Sequence, residues 1–151
     1  MKRNDFPRNT ILTEAWRRLG VPTNNINQAT RWHDKGAGVW TLWIENPHGV
    51  SFVTQDNRNT LIVTPWRPDG AQHSNVHMAK AHAYWEDLHE AAAEEKIIRI
   101  MAIKWRKDAT GAFVEEQHGA TIPVYWRQMK ATMDADGDRV VLTEADNADI
   151  T

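Results

Sequence analysis

Beyond the first predicted helix, which holds Trp16-Arg17, four tryptophans stand directly beside an arginine: Arg31-Trp32, Trp66-Arg67, Trp105-Arg106 and Trp126-Arg127. An indole stacks on a nucleobase and a guanidinium neutralises phosphate, so this pairing suits single-stranded or flipped-out nucleotides. Two of the four fall in loop-like sequence. Arg31-Trp32-His33 precedes a strand, and Trp66-Arg67 lies between Pro65 and Pro68, which restrict the backbone. Alternation along half-buried strands accounts for the other two, with Trp105 and Trp126 inward and their arginines outward. The expected base-binding residues are Trp32, Trp66, Trp43 as a wall, and His33. The expected phosphate-binding residues are Arg31, Arg67, Arg106 and Lys107.

The histidines offer a second chemistry. His73 and His77 are four apart at the start of a helix, a spacing at which two imidazoles can share an ion. A third ligand is missing, and Ser74 stands where a metalloprotease helix carries its glutamate base. No metal and no cofactor is expected. Asp134-Ala135-Asp136-Gly137-Asp138 has the look of a calcium loop, but its glycine comes too early and Ala145 holds the position of the closing carboxylate. A hairpin turn is the expectation there. Gly36-Ala37-Gly38 leads into a strand instead of a helix and is no phosphate loop. Ser51 and Ser74 lack the context of an activated nucleophile.

The chain has 151 residues, the size of one domain, with 41% hydrophobic and 25% charged residues. It has no cysteine, which excludes disulfides, thiol catalysis and iron–sulfur ligation. Eight tryptophans against five other aromatics are more than a small core needs, so some are expected at a pocket. The net charge of -2 conceals an uneven spread. Residues 131–151 hold Arg139 against six acids, whereas residues 1–35 hold seven basic residues and three acids. A basic N-terminal region with an acidic tail is compatible with a local phosphate-binding face. No apolar run approaches the roughly 18 residues of a membrane span, and the basic N-terminus has no apolar stretch behind it to form a signal peptide. A cytoplasmic protein without a membrane partner is expected.

The elements that must position these residues follow from periodicity. Asn9 or Thr10 caps a helix to Leu19, stopped by Gly20. Val39 to Glu45 is a strand with Trp40, Leu42 and Ile44 on one face, and Val50 to Thr54 is its hairpin partner. Leu61 to Thr64 is a third strand. The longest helix runs from Ser74 to Lys96, with Met78, Ala81, Trp85, Leu88 and Ala92 as its buried stripe. Strands follow at Ile97–Trp105, Ala112–Glu116, Ile122–Lys130 and Asp138–Thr143, with turns at Asp108–Gly111 and Asp136-Gly137. One domain over residues 1–151 is expected, its acidic terminus fraying from about residue 144. The class is α+β: a small, mostly antiparallel barrel or strongly bent sheet flanked by two helices.

In layout, residues 30–143 resemble the PUA-like superfamily, which includes the EVE and SRA-type domains that read modified bases. The likeness rests on the helix inserted after the early strands, on the Pro65-Trp66-Arg67 loop leading into it, and on the closing strands around Val124-Tyr125-Trp126-Arg127 and Val140-Val141-Leu142. It implies a non-enzymatic module that takes a base of DNA or RNA into an aromatic pocket. Two alternatives come from other classes: a small hydrolase or nuclease-like enzyme using His73 and His77, and a protein-binding accessory factor of a phage or defence system.

Overall fold

The computed structural model describes residues 4–8, 10–23, 32–45, 53–56, 60–63, 75–112, 114, 121–135, 137 and 139–145. In chain order the elements are β1 (Asn4–Asp5), α1 (Leu12–Arg18), β2 (His33–Asp34), β3 (Val39–Glu45), β4 (Val53–Asp56), β5 (Thr60–Val63), α2 (Asn75–Ala93), β6 (Ile97–Trp105), β7 (Thr121–Met133) and β8 (Val140–Glu144). The strands form one mixed sheet in the order β2-β3-β6-β7-β8-β5-β4, with β1 alongside β7. All pairings are antiparallel except β3 with β6. The described strand order ends at β2 and β4.

The parallel pair corrects one expectation. Val53–Asp56 does not return along β3 but pairs with β5, and β3 lies between β2 and β6. The physical reason is burial. Val39, Trp40, Thr41 and Leu42 are all buried, so this strand needs cover on both faces and neighbours on both edges, as in the interior of a sheet. The β-branched run Ile97–Trp105 meets the same demand and supplies the neighbour.

The two faces carry separate cores. On one, Trp40, Leu42, Ile98, Ile100, Met129, Ala131 and Leu142 pack with Tyr84, Leu88, Ala91 and Ala92 of α2. On the other, Val39, Met101 and Ile103 pack with Ala15, Trp16 and Leu19 of α1. Arg99 ties this second face together: its Nη2 donates to the carbonyls of Leu19 and Ala37, each at 2.7 Å.

α1 begins later than its cap residues suggest. Ile11 holds the N-cap position and has no polar side-chain atom to cap with, and the Thr10 hydroxyl donates to the Pro7 carbonyl at 2.6 Å. The helix stops as expected, with Gly20 in the left-handed region at φ 80°. The stripe of α2 is turned slightly from its expected line. Ala81, Leu88 and Ala92 are buried, but Tyr84 takes the central place and Trp85 is half-buried against the same core. The side chain of Met78 lies outside the described residues.

α2 ends on Glu95, a non-glycine residue in the left-handed region at φ 53°, while the amide of Lys96 closes on the Ala91 carbonyl. A side chain in that conformation costs roughly 1 kcal/mol that glycine does not. Glu95→Gly is therefore expected to raise the stability by about 0.5–1 kcal/mol in urea denaturation. A loss of stability would show that the Glu95 side chain supports the helix end.

Candidate functional site

The edge formed by β2 and β3, under α2, concentrates the polar and aromatic contacts of the described residues. The turn after β2 is set by Asp34, whose Oδ1 accepts the Ala37 amide at 2.7 Å, and by Gly38 at φ 68°. This turn brings His33 opposite Trp40, and their rings stack with centroids 5.7 Å apart at 27°. His33 also meets the edge of the Tyr84 ring at 5.7 Å. Its Nε2 lies 2.7 Å from Asp87 Oδ2, and because a carboxylate only accepts, the ring donates this bond. Lys35 donates to Glu90 Oε2 at 2.6 Å and stands 3.9 Å from Asp87 Oδ1. The hydrogen bond to Glu90 and its charge push the Lys35 ammonium above its usual range.

Hydrogen bonds between α2 and β3, and from Thr41 to Trp32, hold this edge. The Tyr84 hydroxyl donates to the Thr41 carbonyl at 2.6 Å, and the Trp40 indole donates to the Tyr84 carbonyl at 3.2 Å. Burial pushes the Tyr84 phenol far above its ordinary range, so it remains a donor. The Thr41 hydroxyl and amide both reach the Trp32 carbonyl, at 2.7 and 3.1 Å. These bonds fix where Trp32 enters the sheet.

The structure brings two of the four expected base-binding residues, Trp32 and His33, to this edge: Trp32 is half-buried against the core that contains Trp40 and Tyr84, and His33 contacts Asp87 of α2. Trp43 is half-buried further along β3, where it packs against both cores and pairs with Ile103 of the α1-side one. The fourth, Trp66, lies outside the described residues, as do Arg31 and Arg67. Of the expected phosphate contacts, Arg106 and Lys107 are exposed just past β6. Trp43 pairs with Ile103, so Arg106 sits three residues further along, roughly 10 Å at the rise of an extended chain. Asp87 and Glu90 of α2 face His33 and Lys35 at the β2 end, which makes that end acidic, and the exposed cations Arg106 and Lys107 lie past Trp105. His73 lies outside the described residues. His77 stands in the first turn of α2, its side chain likewise outside them.

The turn that presents Arg106 and Lys107 is locked by Asp108. Its Oδ1 accepts the Thr110 amide, the Thr110 hydroxyl and the Ala112 amide at 2.8, 2.6 and 3.1 Å. These bonds hold the Asp108 carboxyl below its usual range, those from Thr110 most strongly. A depressed carboxylate favours the folded turn above the ordinary Asp range, and the preference fades as the pH falls through the lowered value. The protection of the Thr110 and Ala112 amides, taken relative to their intrinsic exchange rates, is therefore expected to fall in acid, and Asp108→Ala is expected to lack it at every pH. Equal exchange in both proteins at neutral pH would contradict this. The β7–β8 turn has the same design: Asp134 accepts from Arg139 Nε at 2.8 Å, and Gly137 takes φ 76°.

Tyr84, Asp87 and Thr41 escaped the sequence reading because their roles depend on α2 crossing the β2–β3 edge, a contact between segments more than 40 residues apart. Arg127 is a correction. Its strand was expected to turn Trp126 inward and the arginine out. Instead Arg127 is buried at 6% exposure on the α2 face, and Trp126 is half-buried on the α1 face. Both faces of β7 are covered, so alternation chooses between two cores and not between core and solvent.

Among the described residues, no three His, Asp or Glu side chains come together where they could hold an ion, and no helix is long and apolar enough to cross a membrane. No protein-family model, no curated protein and no solved structure matches this chain.

Proposed function

We propose that this protein is a nucleic-acid-binding module whose bent sheet, of PUA-like layout, takes a base at the β2–β3 edge. The observation that supports this is the placement of Trp32 and His33 beside the β2–β3 edge, with the His33 ring hydrogen-bonded to Asp87 and stacked on Trp40, and with Trp43 half-buried further along β3. A half-exposed indole fixed in place stacks on a base at little entropic cost. In this reading Arg106 and Lys107 meet the phosphates, and Trp66, Arg67 and Arg31, which lie outside the described residues, are the further candidates that the sequence names. A base modified or flipped out of its strand is the favoured guest, because an aromatic pocket accepts it only when unstacked.

The test is a titration of short DNA and RNA strands, modified and unmodified, over a series of salt concentrations. Four basic side chains on single-strand phosphates predict a slope of log K against log salt of about −2 to −3. Arg106→Ala is expected to flatten that slope by about 0.7. Binding that ignores salt would remove the nucleic-acid reading.

One observation favours a second reading, a small hydrolase. The His33–Asp87 contact is the kind that orients an imidazole base. This reading uses His33; the histidines singled out in the sequence, His73 and His77, have side chains outside the described residues. The same titration separates the two: a binding module leaves the oligonucleotide intact, and the hydrolase cleaves it.

A further inference from the structure

We infer that the face of β6 and β7 that α1 leaves open is a second contact surface for a single-stranded nucleic acid, with Arg99 and Lys130 on its phosphates. The inference rests on the nucleic-acid reading above and adds to it a surface away from the β2–β3 edge. The two faces of the sheet are covered unequally. On the α2 side the core runs from Trp40 across to Leu61 and Val63 of β5. On the other side it stops at Trp126, which is half-buried. Beyond that point the register sets Arg99 beside Gln128, and Lys130 between Ile97 and Thr143. Neither described helix places a core residue on Ile97, Gln128, Lys130 or Thr143. Lys130 is exposed, and Ile97 is 41% exposed.

The charge of this face identifies the partner. Arg99 donates from Nη2 to the Leu19 and Ala37 carbonyls, and its guanidinium lies 6.0 Å from the centre of the Trp126 ring. These contacts hold the group in place without neutralising it, and its Nε and Nη1 take no part in them. Burial, with no acid contributing, pushes the Arg99 guanidinium below its usual range. Such a charge gains from an anion that reaches it. Lys130 lies diagonally across the β6–β7 pair, roughly 7–8 Å away, a gap that neighbouring phosphates of one strand can bridge. Among the described acids, none neutralises the pair. Asp34, two strands from Arg99 in the same row, accepts the Ala37 amide, and Glu94 holds Lys96. Glu95, in the turn before β6, is exposed and forms no ion pair with Lys130 among the described contacts. Asp5 and Glu144 stand opposite Tyr125 and Met129 and so belong to the α2 side. Asp146 and Asp149 lie outside the described residues. Two cations on an open sheet, with Gln128 beside them, match a polyanion laid along the surface. A second copy docked by the same face would bring two further cations against them.

The probe is an oligothymidylate of about 12 nucleotides, titrated over a series of salt concentrations. Arg99 and Lys130 add two phosphate contacts to the four counted above, so the wild-type slope of log K against log salt is expected at about −4. Lys130→Gln is expected to flatten it by about 0.7, and the further change Arg99→Gln to return it to about −2 to −3. Arg99 also holds the end of α1, so the urea midpoint is recorded on each variant. Lys130→Glu, at an exposed position, repeats the test without touching that contact and is expected to weaken binding at low salt more than Lys130→Gln does. A wild-type slope of about −2 to −3 that neither Lys130 variant moves overturns the proposal and leaves the base-binding reading standing. A wild-type protein that binds no strand at low salt removes both. A molar mass that doubles with concentration in the wild type and stays single in Lys130→Glu gives this face to a second copy, and overturns the proposal as well.

Discussion

Replacing Trp40 by alanine is expected to cost about 3–5 kcal/mol of folding free energy, the largest effect of any substitution at the proposed site. Trp40 is 2% exposed and packs in the α2-side core with Tyr84, Leu88 and Ile100. Its removal leaves a cavity the size of an indole, and β3 cannot close it, being held on both edges by β2 and β6. Two further contacts go with it. The indole N–H no longer reaches the Tyr84 carbonyl, and the His33 ring loses the surface on which it stacks. Urea denaturation at neutral pH reads the cost directly. A loss below about 1 kcal/mol would mean that α2 does not bear on β3 as described, since surface-like positions respond on that scale. Such a result would also release His33 from its frame.

The same contacts show what could be read from the residues in order. Val39–Glu45 and Ile97–Trp105 were legible to the residue, because apolar and β-branched runs bounded by turn signals define buried strands. The long helix was legible from its stripe, and the turns at Gly20, Gly111 and Gly137 from the left-handed conformation each adopts. The partners of the strands were not legible. The hairpin rule joins neighbours in sequence, and it paired Val50–Thr54 with β3. The true neighbour is β6, reached only after α2 has crossed the sheet. The two-residue strands at Asn4–Asp5 and His33–Asp34 are too short to carry any periodicity. At the candidate site, Trp32, His33 and Trp43 stood out by type; the structure sets Trp32 and His33 at the β2 end and Trp43 against Ile103 on the α1 side. Asp87 did not stand out, because an acid on a polar helix face looks like any solvated residue until a histidine is brought to it. Arg127 was misplaced for the opposite reason: alternation names two faces without saying that both are dry.

Trp32→Ala and Trp43→Ala are expected to weaken oligonucleotide binding by about 1–3 kcal/mol each if each indole stacks on a base. Both side chains are half-buried at the margin of the core. Part of each indole therefore supports the fold, and part is open to a guest. The stability cost should be smaller than for Trp40, because less of each ring leaves water on folding. The two effects separate in one comparison. Affinity for a single-stranded oligonucleotide is titrated at fixed salt for the wild-type protein, Trp32→Ala and Trp43→Ala, with the urea midpoint recorded on the same preparations. The base-binding account predicts affinity lost by about tenfold or more in each variant, with the folded state fully populated. Affinity unchanged in both folded variants, or a wild-type protein that binds no oligonucleotide at low salt, would contradict it.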